Sequence, residues 1–321
     1  MKIGNLTFNS IPVILAPMED ITDSIFRQIC KQYGADITFT EFTSSEALKR
    51  NVSKSIDKIT FSESERPIAI QIFGNNADTI KQCIDIINTL NPDIIDINLG
   101  CPVKKVVNKG AGAALLKDIK KIAQIAKYAT SSTSIPITAK TRLGWDHQSI
   151  NIIDVVKVLQ DNGIKAVTIH CRTRSQLYSG NADWSYIGKV KQDKYITIPI
   201  IANGDINSPE AALKIISEYN PDGIMIGRAA IGNPFIFRQI KQFLDTGKYP
   251  SFSNKDKAII CKEHLNRLYK IKQQYAIIIM RKHYPKYFKS IPHFKQYKLK
   301  LLTSTDINQL NDILDYIIST V

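Results

Sequence analysis

Apolar residues cluster in eight short runs over the first 226 positions of the chain. They cover residues 12–16 (PVILA), 36–42 (DITFTEF), 68–73 (IAIQIF), 93–98 (DIIDIN), 137–142 (ITAKTR), 166–170 (AVTIH), 198–203 (IPIIAN) and 222–226 (DGIMI). Short runs rich in isoleucine and valine predict strands buried on both faces, as in a parallel sheet. Between them, apolar positions recur at helical spacing over 23–33, 77–90, 119–130, 150–162 and 209–219. Ser208 before Pro209 supplies a helix cap followed by a first-position proline. Eight strands alternating with helices predict an α/β fold of the (β/α)8 TIM-barrel type. A doubly wound sheet is the rival, but no Gly-x-Gly-x-x-Gly turn follows the first strand.

Polar residues inside these runs sharpen the picture. Gln71, Asn98, Lys140, His170 and Asn203 each lie near the C-terminal end of a different strand. Alternation turns all five toward the barrel axis, at the end where barrels build their sites. One such residue is ordinary core chemistry. Five in phase are hard to read as filler, because buried polar groups need partners.

Cys101 stands between Gly100 and Pro102, just past the fourth strand. Glycine permits close approach of a ligand, and proline biases the cysteine toward extended geometry, which puts the thiol at the rim. Taken alone, Cys101 is equally well read as a small buried hydrophobe. Asn203-Gly204-Asp205 and Gly227-Arg228 follow the last two strands. In barrels these two loops commonly bind phosphate, through backbone N–H groups and an added cation.

After residue 245 a turn-rich linker at 246–254 leads into helical patterning to the end, so a barrel over 1–245 and an all-helical domain over 246–321 are expected. The net charge is +14, and +9 of it falls in residues 246–321, where 14 Lys+Arg face 5 Asp+Glu. A compositional preference for lysine would not deplete acids from one region alone, so the asymmetry favours a polyanion-binding surface. Arg281, Lys282, Lys286 and Lys289 lie there among aromatics and suit phosphate contacts. Five cysteines without paired spacing indicate neither a disulfide framework nor a zinc site, and Cys261-x-x-His264 lacks a second half. No signal-peptide pattern and no run of 18 apolar residues occurs, so a cytoplasmic protein with no membrane partner and no metal is expected, as a monomer.

With these residues in place, the chain resembles the FMN-dependent tRNA-dihydrouridine synthases, most closely their bacterial B-type branch. The resemblance rests on Ala16-Pro17-Met18 with Ile21-Thr22-Asp23, Gln71-Ile72-Phe73-Gly74, Asn98-Leu99-Gly100-Cys101-Pro102 and Lys140-Thr141-Arg142. It continues through His170-Cys171-Arg172-Thr173-Arg174, Asn203-Gly204-Asp205, Gly227-Arg228 and Arg281-Lys282-His283. It implies an FMN barrel with tRNA lying across the cleft to the helical domain, and reduction of a uridine to 5,6-dihydrouridine. NADPH, or NADH, would reduce the flavin, and Cys101 would deliver a proton to C5. The implied cofactor set is Ala16, Pro17, Met18, Gln71, Lys140, His170, Asn203, Gly204, Asp205, Gly227 and Arg228. The implied substrate set is Asn98, Arg142 and Arg172, with Arg281, Lys282, Lys286 and Lys289 on the tRNA. A flavin barrel acting on a free pyrimidine would leave the basic tail unexplained. A non-catalytic RNA-binding barrel would leave the five inward polar strand ends unexplained.

Overall fold

The structure is a computed structural model describing residues 1–289, 291 and 294–321, so three positions of the expected basic tail, 290, 292 and 293, lie outside the described residues. The eight runs become strands β1 (Val13–Leu15), β2 (Thr38–Phe39), β3 (Ile68–Phe73) and β4 (Ile94–Asn98). The rest are β5 (Ile137–Arg142), β6 (Val167–His170), β7 (Ile200–Asn203) and β8 (Gly223–Ile226). From β2 to β8 each strand pairs in parallel with the next, and β8 pairs with β1. The barrel closes between β1 and β2, where Asp36 N donates to Val13 O and Leu15 N to Ile37 O, each at 2.9 Å. The run at 36–42 yields only a two-residue strand, and Thr43–Ser44 then pairs separately with β3.

Alternation divides the barrel interior by height. Its lower part is apolar, with Ile14, Phe39, Ala69, Ile94, Ile201 and Met225 packed together beneath the cap of Ile3. Its upper part is polar, and register sets who meets whom: Gln71 is opposite Asp96, Asp96 opposite Thr138, Asn98 opposite Lys140, and Arg142 opposite His170. Residues on the other face of each strand, such as Ile70, Ile72, Ile95 and Ile97, pack outward against the surrounding helices. Those helices include Ser24–Gln32, Ala77–Asn88, Ile119–Thr130, Ile152–Asp161 and Pro209–Tyr219, the last capped by Ser208 Oγ on Ala211 N at 3.1 Å. Ser185–Gln192 is an additional helix that buries only Ile187 and Val190, too few apolar positions to register as a period.

Beyond Gly247 the chain is helical, opening with Asn254–Lys272 and closing with Ile307–Thr320. This region does not hang free of the barrel. Its core, built on Cys261, Leu265, Leu268 and Tyr287, is continuous with Ile25, Ile29 and Phe235. Arg267 reaches across to Gln28 Oε1 at 2.5 Å, and Lys282 to Asp20 Oδ2 at 2.6 Å. Among the described residues no helix is long and apolar enough to cross a membrane.

Below that contact a buried ion pair anchors the helix Ser24–Gln32. Arg27 Nε donates to Glu65 Oε2 at 2.5 Å, with 2% and 0% of the side chains exposed. Arg27 also reaches the carbonyls of Thr22 and Thr60, and Ser24 Oγ donates to Glu65 Oε1 at 2.6 Å. Arg27→Met removes one partner and leaves the Glu65 charge buried, so it should cost about 3–5 kcal/mol. Urea unfolding of the two proteins measures this, and a loss under about 1 kcal/mol would mean that Glu65 finds other compensation.

Candidate active site

The polar upper barrel opens into a cleft of about 960 Å³ lined by Met18, Gln71, Asn98, Cys101, Lys140 and Arg228, among others. At its base sits Asp96, wholly buried, which accepts from Thr138 Oγ1 at 2.5 Å and from Gln71 Nε2 at 2.7 Å. Gln71 is thereby oriented, and its Oε1 accepts from Asn98 Nδ2 at 2.8 Å. Asn98 Oδ1 in turn accepts the N–H groups of Gly100 (3.0 Å) and Cys101 (2.8 Å). The side chain folds the strand end into a turn that sets Cys101 at the rim. From the other side Ala113 N donates to Cys101 O at 3.1 Å. Gly112 makes this possible: it has φ +59°, and a Cβ there would lie 2.9 Å from Cys101 O.

The electrostatics follow from burial among cations. Burial pushes the Cys101 thiol above its ordinary value, outweighing the Val103 N–H and the Arg142 charge that oppose it. The thiol is therefore protonated at neutral pH. Burial and the charge of Arg142 bring Lys140 down to about 8, against the pull of Asp96. Its Nζ donates to Asn203 Oδ1 at 3.1 Å, and Asn203 Nδ2 donates to Met225 O at 2.8 Å, so the ammonium is held by a residue bridging β5, β7 and β8. Burial, then Lys140, Arg142, Arg172 and Arg228, hold His170 well below its usual range, and the ring is neutral.

Of the expected cofactor residues, Pro17, Met18, Gln71, Lys140, His170 and Arg228 line this cleft, and Ala16, Asn203, Gly204, Asp205 and Gly227 are not in its lining. Pro17 and Met18 line it, while Ala16 lies beneath with its Cβ facing Gly227. Gly227 has room for a Cβ, its nearest neighbour being 3.8 Å away, so packing does not demand glycine there and the open space suits an approaching ligand. Gly204 is different: at φ +114° its Cβ would meet His170 Cδ2 and Ala182 Cβ at 2.9 Å, so its glycine serves the protein's own packing. Asp205 points its carboxylate at Arg172 (2.5 Å), Ala182 N (2.8 Å) and Arg228 (3.4 Å). Burial opposes its ionisation, but the Arg172 hydrogen bond, the Ala182 N–H and both guanidinium charges outweigh that and hold it below the usual carboxylate range. It steers cations.

Arg142 and Arg172, expected on the substrate, are each only 2% exposed and clamp one loop. Arg142 donates to the carbonyls of Gly100, Thr173 and Leu177, and Arg172 to those of Ser179 and Gly180. The loop carries Tyr178, which sequence reasoning missed. Its ring lies 4.6 Å from the Arg228 guanidinium carbon and 5.7 Å from that of Arg142, at the cleft wall. A lone loop tyrosine has no periodicity to mark it. Lys58, Lys105 and Lys109 also line the cleft and were equally unmarked. In the tail Lys286 and Lys289 are exposed, Lys282 is paired with Asp20, and Arg281 is half-buried. They do not reach the cleft lining.

The family described as Dihydrouridine synthase (Dus) matches residues 14–319 of the chain. A tRNA-dihydrouridine synthase B of Pseudomonas syringae pv. tomato is 38% identical over 300 residues, spanning 93% of this chain and 88% of that one. The protein of the same name from Pasteurella multocida is 37% identical over 306 residues, spanning 92% and 90%. Among solved structures, a 2-naphthoyl-CoA reductase complex is similar at TM-score 0.57 and 12% identity, over 77% of this chain and 52% of that one. That likeness concerns the barrel fold alone.

Asp96 gives a test of this arrangement. Burial raises its carboxyl from 3.8 to about 6, against the hydrogen bonds of Thr138 and Gln71 and the charge of Lys140. Between those values the native form holds the proton and the unfolded chain does not, so this group's contribution to stability falls as pH rises from about 4 to 6 and is flat above. The expected loss is of order 3 kcal/mol. Asp96→Asn should remove that segment, so that variant and native denaturant midpoints differ by unequal amounts at pH 4.5 and pH 7. A constant difference would place the titration elsewhere.

Proposed function

Because this chain belongs to the dihydrouridine synthase family, an enzyme family, we propose that it reduces uridines of tRNA to 5,6-dihydrouridine with FMN as cofactor and NADPH or NADH as reductant. The observation that carries the reading is a buried thiol on a pinned turn, facing the same cleft as Lys140, His170 and Arg228. The cleft suits FMN: its volume is in the range of cofactor pockets, Gly227 leaves open space, and Arg228 beside it is an exposed cation for a phosphate. Pro17 and Met18 would supply apolar contact to the ring system, and Lys140 with neutral His170 would meet its polar edge. When bound and reduced, FMN supplies the hydride that adds at C6 of the uracil.

The chain's own residues account for the remainder. Charge left by hydride addition develops at C5 and the C4 carbonyl, so a proton donor is needed there. Cys101 holds its proton at neutral pH because burial disfavours the thiolate, and it can pass that proton to C5. The thiolate left behind is stabilised by the charges of Arg142 and Lys140 and is reprotonated from water. Lys140, ammonium at pH 7, offsets negative charge in the cleft. The uridine must leave its stack to enter. Cys101→Ala should retain FMN and its reduction by NADPH, yet lose about 10²–10⁴-fold in dihydrouridine formation. Near-native turnover would assign the proton to another group.

The exposed lysines of the tail are proposed to hold tRNA phosphates. Native binding should weaken with salt at about 0.7–0.9 log units per contact, and Lys286→Gln with Lys289→Gln should flatten the slope by up to about two units. Lys282 is left intact because Asp20 already neutralises it. Filter binding over a salt series reads the slope, and an unchanged one would move tRNA to the lysines around the cleft.

A further inference from the structure

Where the helical region meets the barrel, three side chains converge that the chemistry above leaves unused. Asp23 comes from the start of the helix Ser24–Gln32, His264 from the middle of Asn254–Lys272, and His283 from just before the short helix Tyr284–Tyr287. Both histidines are 0% exposed. Asp23 Oδ1 caps its helix, accepting from Ile25 N and Phe26 N, but Oδ2 is buried with no hydrogen bond. His264 Nε2 and both nitrogens of His283 are also buried without a partner. One ligand atom from each residue lies within 4.8 Å of the other two, and His264 Nε2 is 3.9 Å from Asp23 Oδ2.

Unmet buried polar atoms are costly one at a time, and here several face one point. Among the described residues none reaches them within hydrogen-bonding distance. A cation meets them together. We propose that Asp23, His264 and His283 bind one divalent transition-metal ion, Zn²⁺ by the character of the ligands, at the seam between barrel and helical tail. Two imidazoles and a carboxylate suit such an ion, whose bonds of about 2.0–2.1 Å would draw the ligand atoms to about 3.3 Å apart. Tyr287 Oη lies 3.3 Å from His264 Nδ1, where it can accept Nδ1–H and leave the Nε2 lone pair toward Asp23. Phe26, 5.4 Å and 5.7 Å from the two imidazole rings, supplies an apolar wall. The other acidic group, Glu19, Asp20 and Glu41, is a poorer candidate because Lys58 already pairs with Glu19 and Glu41.

The position gives the ion a task. Asp23 adjoins Thr22, whose Oγ1 accepts from Met18 N at 3.1 Å, and Met18 lines the cleft. An ion on Asp23 would therefore tie the cleft-lining loop to both segments of the tail that bring the histidines.

The test uses full-length protein freed of any histidine tag, stripped with chelator and titrated with Zn²⁺ or Co²⁺. One ion per chain is expected, a bound water completing the three protein ligands, with visible absorption bands of four-coordinate Co²⁺ and a rise in Tm of about 5 °C at saturating Zn²⁺. His283→Gln and Asp23→Asn should lose the bands and the rise. Tyr287→Phe, which keeps all three ligands, should weaken binding about 10–100-fold. It serves as the readout if a ligand variant fails to fold. Native protein that takes up no Co²⁺ and gains no stability would overturn the proposal, leaving a water or shared proton at the seam. Undiminished binding in His283→Gln, Asp23→Asn or Tyr287→Phe would equally overturn it.

Discussion

A carboxylate buried at mid-height in a barrel must be met by donors, and the way Asp96 is met orients the site above it. Thr138 and Gln71 are the residues directly opposite it on the neighbouring strands, so the register of a parallel sheet delivers both donors. Gln71 spends its amide on Asp96, which turns its carbonyl to Asn98, which turns the Asn98 carbonyl to the Cys101 turn. Each amide has its orientation decided by the one below. The thiol is thus positioned by a chain of hydrogen bonds that ends in a single buried charge, and such a network is stiff because each side-chain amide is already committed to a partner within the protein.

Charge around the cleft is arranged unevenly for a reason. Burial, and after it the charges of Lys140, Arg142, Arg172 and Arg228, suppress protonation of His170. Two of the four, Arg142 and Arg172, use their donors on backbone carbonyls and Asp205, and so act as fixtures of the Tyr178 loop. Lys140, tied to Asn203, and Arg228, at the longer 3.4 Å from Asp205, face the cleft, one at its polar wall and one at the open space beside Gly227. A cleft with fixed positive potential favours anionic ligands and stabilises charge that develops inside it. A thiol kept protonated by burial suits that field, since its conjugate base is formed only when the proton is given up.

The helical tail is part of this machinery through its contact with the first barrel helix. Cys261, Leu265 and Tyr287 share a core with Ile25 and Ile29, and polar ties from Arg267 and Lys282 run along the edge of that core. Apolar continuity of this kind resists relative motion more than a polar interface would. The orientation of the tail's exposed lysines relative to the cleft is therefore a property of the helix Ser24–Gln32, which Arg27 and Glu65 hold in place.

Periodicity carries the architecture of this protein, because strand alternation and helical spacing are local and every barrel strand repeats them. All eight runs became barrel strands, and the five polar strand ends faced the axis as two-residue alternation requires. The placement of Cys101, Lys140 and Gly227-Arg228 around the cleft was legible for the same reason, each lying at a fixed offset from a strand end. What each polar group binds was not legible. In the structure Asn98 bonds Gln71 and the Cys101 turn, Arg142 and Arg172 bond the Tyr178 loop, and Asp205 pairs with Arg172 and Arg228. Partners such as Gln71 with Asp96, or Arg172 with Gly180 and Asp205, are fixed by strand register and loop path. The meeting of Asp23 with His264 and His283 spans some 240 to 260 residues of chain. No spacing rule reaches that far, since only the packing of one helix against another brings those atoms together.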